Sequence, residues 1–197
     1  MNESAMQMVA NEIEHLRACG LARFPTFCRS LMRSLPGNSS CIDCGSPNPE
    51  WASVTYGCLI CLQCSGRHRS YGVRTSTVRS VDMDHWTAHQ VLAMLEGGNE
   101  QLRNFFERHH MGTSMSNKRY HTKAARFYAE HMGQHVTSLQ ESPYKGREAS
   151  RQRYKSENGT TANAVATGAV TSTATPKDPQ CFRMLTRTVS GRQVLVQ

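Results

Sequence analysis

Two cysteine pairs, Cys41-x2-Cys44 and Cys61-x2-Cys64, stand sixteen residues apart and constrain this chain more than any other feature. Two such pairs can close a tetrahedral shell of thiolates around one metal ion. A chain stapled in this way needs only a modest apolar core. That suits a sequence of 197 residues in which 38% are hydrophobic. Arg69 follows the last of these cysteines by five positions, a short and fixed reach from a rigid knot.

The sequence holds eight cysteines, and disulfides are the competing reading. Glu3, Glu12, Glu14 and Arg17 interrupt any apolar run in the first two dozen residues, so no signal-peptide core is expected there. No stretch approaches the roughly eighteen apolar residues of a membrane span. A reducing, intracellular setting is the expectation, and there paired CxxC reads as metal binding. Zinc is the first metal to consider. A closed four-sulfur shell leaves no open position for an activated water, so the ion would be structural. Four thiolates on a dication leave a formal charge of about −2, and Arg67 and Arg69 are near enough in sequence to offset it. Cys58 creates a run, Cys58-x2-Cys61-x2-Cys64, that partly resembles an iron–sulfur motif. Position 68 is His, however, and no proline follows. His68 stays open as a substitute ligand, and Cys58 otherwise reads as a small buried residue. Cys19, Cys28 and Cys181 are isolated and read as plain thiols.

Around this module the periodicity is mainly helical. Residues 4–35 read as two helices broken near Gly20 and Pro25, with Met6, Val9, Ile13 and Leu16 on one face. Alternation over Thr77–Val81 predicts a short strand. Asp82 or Asp84 is expected to cap a helix that runs to about Glu96, and Asn99 to cap the next, to about His109. Residues 112–117 read as a loop, and a last helix is expected over about 121–139. Tyr56 and Trp86 are expected in the core. From residue 145 the chain turns basic and polar, and residues 158–176 are a low-complexity tract. The expected division is a helical extension over 1–24, a four-cysteine domain over 25–140 and a largely disordered basic tail over 141–197.

The formal net charge is +8. It favours an acidic partner, whether nucleic acid, anionic lipid or an acidic protein face, without choosing among them. Arg67, Arg69, Arg74 and Arg79 form a run with no acid between Ser65 and Val81. On charge alone Arg69 is one more solvated cation.

The text around the cysteines is more specific. Trp51-Ala52-Ser53 lies between the pairs, Tyr56-Gly57 precedes the second pair, and Ser65-Gly66-Arg67-His68-Arg69 follows it. Val78-Arg79-Ser80, Asp84-x-Trp86, Gly97-Gly98-Asn99 and Lys123-Ala124-Ala125 continue the pattern. Over roughly residues 25–140 the chain resembles the zinc-finger domain of the Arf GTPase-activating proteins. The resemblance implies an α+β fold, a small zinc-stapled domain whose short β-sheet is flanked by several helices. It implies one structural Zn²⁺ on Cys41, Cys44, Cys61 and Cys64. It also implies that Arg69 is an arginine finger and that Trp51 lies near the GTPase-contacting surface and supports it. Arg67 departs from the aliphatic residue usual at its place.

The expected function is therefore a GTPase activator, not itself an enzyme, that supplies a catalytic arginine to its partner's active site. The partner is a GTP-bound Arf-family GTPase in vesicle traffic. The expected location is cytoplasmic, with peripheral recruitment to Golgi or other trafficking membranes and an anionic surface within reach of the basic tail. Two alternatives stay open: a catalytically silent zinc-finger adaptor, and a zinc-dependent nucleic-acid module. The second lacks the basic reading helix or aromatic platform of a base reader, so no nucleic acid is expected.

Overall fold

A computed structural model describes residues 3–112 and 118–159. The chain divides into two units, Met1–Gln152 and Arg153–Gln197. In the first, α1 (Glu3–Cys19), β1 (Ala22–Arg23) and α2 (Thr26–Ser34) precede the cysteine module. The module contributes β2 (Trp51–Ser53), a 3-10 turn (Val54–Tyr56), β3 (Cys58–Ile60) and α3 (Leu62–Ser70). Then come β4 (Val78–Ser80), β5 (His85–Trp86), α4 (Ala88–Glu96), α5 (Asn99–Arg108), a 3-10 turn (Arg119–His121) and α6 (Lys123–Ser138), and α7 (Arg147–Gly159) begins in the first unit and ends in the second.

A three-stranded antiparallel sheet organises the module. β2 is the central strand between β3 and β4, with Trp51 opposite both Ile60 and Ser80. β1 pairs with β5. α3 packs on β2 and β4, which sets the cysteine-bearing helix directly on the sheet. This is the mixed helix-and-sheet architecture expected from the resemblance.

α4 is the hub of the helical layer, packed against α1, α2 and α6. Val91, Leu92, Met94 and Leu95 are all fully buried. A stretch apolar on every side must be enclosed, and Val91–Leu95 is. Trp86 and Tyr56 are in the core as expected, Trp86 edge-on to Phe24 at 4.8 Å. α1, set outside the domain by sequence, packs on α2 and α4. Its Glu12 carboxylate accepts from the backbone N–H groups of Phe27 and Cys28 at 3.0 and 2.8 Å, supplying the cap that Pro25 cannot.

The helical layer meets the module at two glycines. Gly57 has φ +61°, and a Cβ there would stand 2.4 Å from the Ala93 carbonyl oxygen. A Cβ on Gly97 would stand 2.3 Å from the Gly57 oxygen. Backbone therefore lies on backbone, and Gly98 N–H donates to Gly57 O at 2.7 Å.

Three local expectations are corrected. Neither Asp82 nor Asp84 caps α4. Thr87 does, in a reciprocal capping box with Gln90, while Asp84 accepts from Ser80 N–H at 2.7 Å and Asp82 pairs with Arg29. Asn99 is not a cap either. It is fully buried, exchanging bonds with Leu59 N–H and C=O at 2.7 and 3.0 Å and donating to Ser40 O at 2.6 Å. Finally, α7 occupies Arg147–Gly159, where the sequence reading placed tail. Within the first unit Arg147 donates to the Glu96 and Gly97 carbonyls at 3.1 and 2.5 Å, closing the end of α4. The expectations for residues 113–117 and 160–197, Cys181 included, lie outside the described residues.

Candidate metal centre and the arginine beside it

Two local structures deliver the four thiols. Cys41 and Cys44 sit in a knuckle closed by Gly45 N–H to Cys41 O at 2.9 Å, with Gly45 at φ +76°. Cys61 is the N-cap of α3 and Cys64 lies in its first turn. The four sulfurs all lie within 4.8 Å of one another, and Cys44 and Cys61 are 3.5 Å apart. Sulfurs tetrahedrally placed at about 2.3 Å from zinc stand about 3.8 Å from each other. The donor set and its spacing fit one such ion.

The surroundings also fit. Arg67 donates to the Cys64 sulfur at 2.7 Å, and Ser46 Oγ lies 3.1 Å from the Cys44 sulfur. These contacts stabilise negative sulfur. Burial works to raise Cys44, but hydrogen bonds from Ser46 and the neighbouring cysteines outweigh it and bring the thiol down to about 6. Burial pushes Cys41 and Cys64 up, so a bound cation is what would release their protons. The departure at Arg67 thus has a local reason: its guanidinium faces the metal shell.

His68 is not a ligand. Its Nε2 lies 3.0 Å from Asp43 Oδ2 and its Nδ1 2.7 Å from Ser76 Oγ. Cys58 stays out of the sulfur cluster as a fully buried thiol paired across the sheet with Ser53.

Asp43, between the first two cysteines, is the centre of a buried polar network. Its other oxygen accepts from Arg119 and from Tyr120 OH, the latter at 2.7 Å. Burial alone would raise this carboxyl. The hydrogen bond and charge of His68, then Tyr120 and Arg119, outweigh it and hold Asp43 down at about 2. An ionised Asp43 can only accept, so His68 carries its proton on Nε2. Ser76 Oγ continues the chain to Ser53 Oγ at 2.7 Å. Sequence reasoning missed Asp43, Ser76 and Arg119 altogether. Arg119 comes from 76 positions away, and the one available signal was a carboxylate placed between two metal ligands.

Arg69 is exposed in the last turn of α3. Its guanidinium carbon lies 4.5 Å from the centre of the Trp51 ring, a cation–π contact. The structure therefore brings together the two residues set apart by sequence as finger and support, beside the metal shell that begins the same helix.

The family model described as "ArfGap: Putative GTPase activating protein for Arf" matches residues 26–158. The chain belongs to the ArfGap family. Among ArfGap relatives, ADP-ribosylation factor GTPase-activating protein 3 of Macaca fascicularis is 46% identical over 100 residues, 50% of this chain and 19% of that protein. ADP-ribosylation factor GTPase-activating protein GCS1 of Saccharomyces cerevisiae is 41% identical over 100 residues, 50% of this chain and 28% of that one. The chain thus matches less than a third of the length of these ArfGap relatives. A solved structure described as "putative GTPase activating protein for ADP ribosylation factor from Cryptosporidium parvum" is 34% identical. It covers 57% of this chain and 88% of its own, with a TM-score of 0.47.

Proposed function

We propose that this chain stimulates GTP hydrolysis by an Arf-family GTPase and lends Arg69 in trans to the partner's nucleotide site. The observation that carries the reading is the exposed Arg69 guanidinium, stacked on Trp51 at the end of a helix that starts in the metal shell. GTP hydrolysis spreads negative charge over the phosphate oxygens in the transition state. A planar, permanently charged guanidinium matches that charge with two or more donors. Such a group contributes on the order of 10³–10⁵-fold in GTPase systems. Holding the arginine beforehand on Trp51 and on a metal-anchored helix reduces the entropy lost on insertion.

The metal in this reading is one Zn²⁺ on Cys41, Cys44, Cys61 and Cys64, with a structural role. The water-positioning group and the Mg²⁺ belong to the GTPase. The setting is vesicle traffic, with the protein cytoplasmic and recruited to the surface of Golgi or other trafficking membranes. The basic residues beyond 141 offer contact with anionic lipid there.

The test mixes the protein with GTP-loaded Arf on liposomes and follows hydrolysis. Wild type is expected to accelerate it by several orders of magnitude, and Arg69→Lys to remove most of the effect, because lysine keeps the charge and loses the fork. No stimulation by folded, zinc-loaded wild type across several Arfs would sink the activator reading. Full stimulation by Arg69→Lys would sink the finger.

A further inference from the structure

The metal shell holds only one end of the helix that carries Arg69. Cys61 caps α3 and Cys64 lies in its first turn, whereas Arg69 is in the last. Five residues of helix put Arg69 about 7.5 Å further along the axis than Cys64. The helix also packs on β2 and β4, so the shell is not its only hold.

His68 stands one residue before Arg69 in that last turn. Its side chain is fully buried and held on both ring nitrogens, by Asp43 at 3.0 Å and Ser76 at 2.7 Å. Asp43 belongs to the knuckle of Cys41 and Cys44, so one route runs from the metal loop to the far end of α3. Ser76 bonds to Ser53, two positions after Trp51 in β2. The other route therefore runs to the strand that presents Trp51. Both members of the Arg69–Trp51 contact are referenced to one buried chain of hydrogen bonds.

We propose that His68, held between Asp43 and Ser76, is a positioning residue that sets the rotation of α3 and so the aim of Arg69. Neighbouring helical residues project about 100° apart around the axis, so fixing His68 inward sends Arg69 out toward solvent and over Trp51. The lever is short and steep. Side-chain ends stand about 5–6 Å from a helix axis, so a 20° slip would move the guanidinium by about 2 Å. A misplacement of about 1 Å already costs on the order of 10²-fold in a catalytic group.

This inference rests on Arg69 as the finger, so its test has an arm that needs no GTPase. Ser76→Ala removes one hydroxyl. His68→Gln keeps a donor toward Asp43 and loses the bond to Ser76. Ser76→Thr keeps the hydroxyl. All three are first checked for one zinc per chain and a melting temperature within a few degrees of wild type. Arg69 side-chain protons then report, through the Trp51 ring-current shift in NMR spectra, whether the guanidinium still lies on the ring. The shift is expected to shrink by at least half in Ser76→Ala and His68→Gln and to stay in Ser76→Thr. With GTP-loaded Arf on vesicles, the first two variants are expected to lose at least tenfold in kcat with KM changed less than twofold. An unchanged ring-current shift in both folded variants overturns the proposal, whatever the GTPase assay gives. So does a loss shared equally by kcat and the folded fraction. Failure of wild type to stimulate hydrolysis, with the shift changes as expected, would instead count against the finger and leave the positioning of Arg69 established.

Discussion

Arg119→Met separates the charge of the buried network from its packing. The methionine stem can keep the contact that Arg119 makes with the Phe106 ring, 4.8 Å from the guanidinium carbon. The cation beside Asp43 is lost. The two side chains are 4% and 3% exposed, so water cannot take its place. Breaking a buried ion pair from one side costs about 3–5 kcal/mol. Asp43 keeps His68 and Tyr120 as donors, which points to the lower end, about 3 kcal/mol. That is a large part of the 5–15 kcal/mol typical of a domain. For a unit of this size it is a fall of about 6–12 °C in Tm. Asp43→Asn is the partner variant. Removing both charges leaves neither one stranded, so the double variant is expected to cost about 2 kcal/mol less than the sum of the singles. Urea unfolding at one fixed free-zinc concentration, read by far-ultraviolet circular dichroism and by tryptophan fluorescence, measures all four corners. A cost under about 1 kcal/mol for Arg119→Met, or simple additivity, would refute the account of a coupled buried pair.

Other outcomes follow from the same geometry. Gly57→Ala should cost more than about 3 kcal/mol, because its Cβ meets the Ala93 carbonyl at 2.4 Å and the φ is positive; thermal melting reads it, and a shift under about 3 °C would contradict it. Thr87→Ala removes the α4 capping box and should lower stability by about 1 kcal/mol, seen as a small drop in urea midpoint at constant slope. Metal analysis should find one zinc per chain with no visible absorption, and chelation should melt α3 from its first turn; a brown chromophore would mean iron–sulfur instead. Trp51→Leu should leave zinc content unchanged and lower stimulated hydrolysis about 2–5-fold from the lost cation–π contact alone.

The sulfur cluster, β4, α6 and the core positions of Tyr56 and Trp86 were legible because each is written locally. Metal-ligand spacing, alternation and helical periodicity all act over a few residues. Caps were harder: Asp82, Asp84 and Thr87 are all good candidates by residue type, and only the reciprocal partner Gln90 separates them. Asn99 was misread, and His68 left open, for a related reason. A buried polar residue looks from sequence like a cap or a ligand, since its true partners arrive from distant segments. Those of Asn99 come 40 and 59 positions away, and Arg119 reaches Asp43 across 76. α7 was missed because residues 147–159 are polar throughout, which leaves no apolar stripe to read.

The contact of Gly57 on Gly97 bears on portability. Many zinc modules can be cut out and grafted because the ion supplies nearly all their folding energy. Here the turn joining β2 to β3 is seated on the end of α4 with no side chains between them. A transplant of residues 41–72 would keep the thiols and the arginine but lose that seat, together with the anchors from Asn99 and Arg119. Anyone wishing to move the arginine into another scaffold would have to carry the helical layer with it.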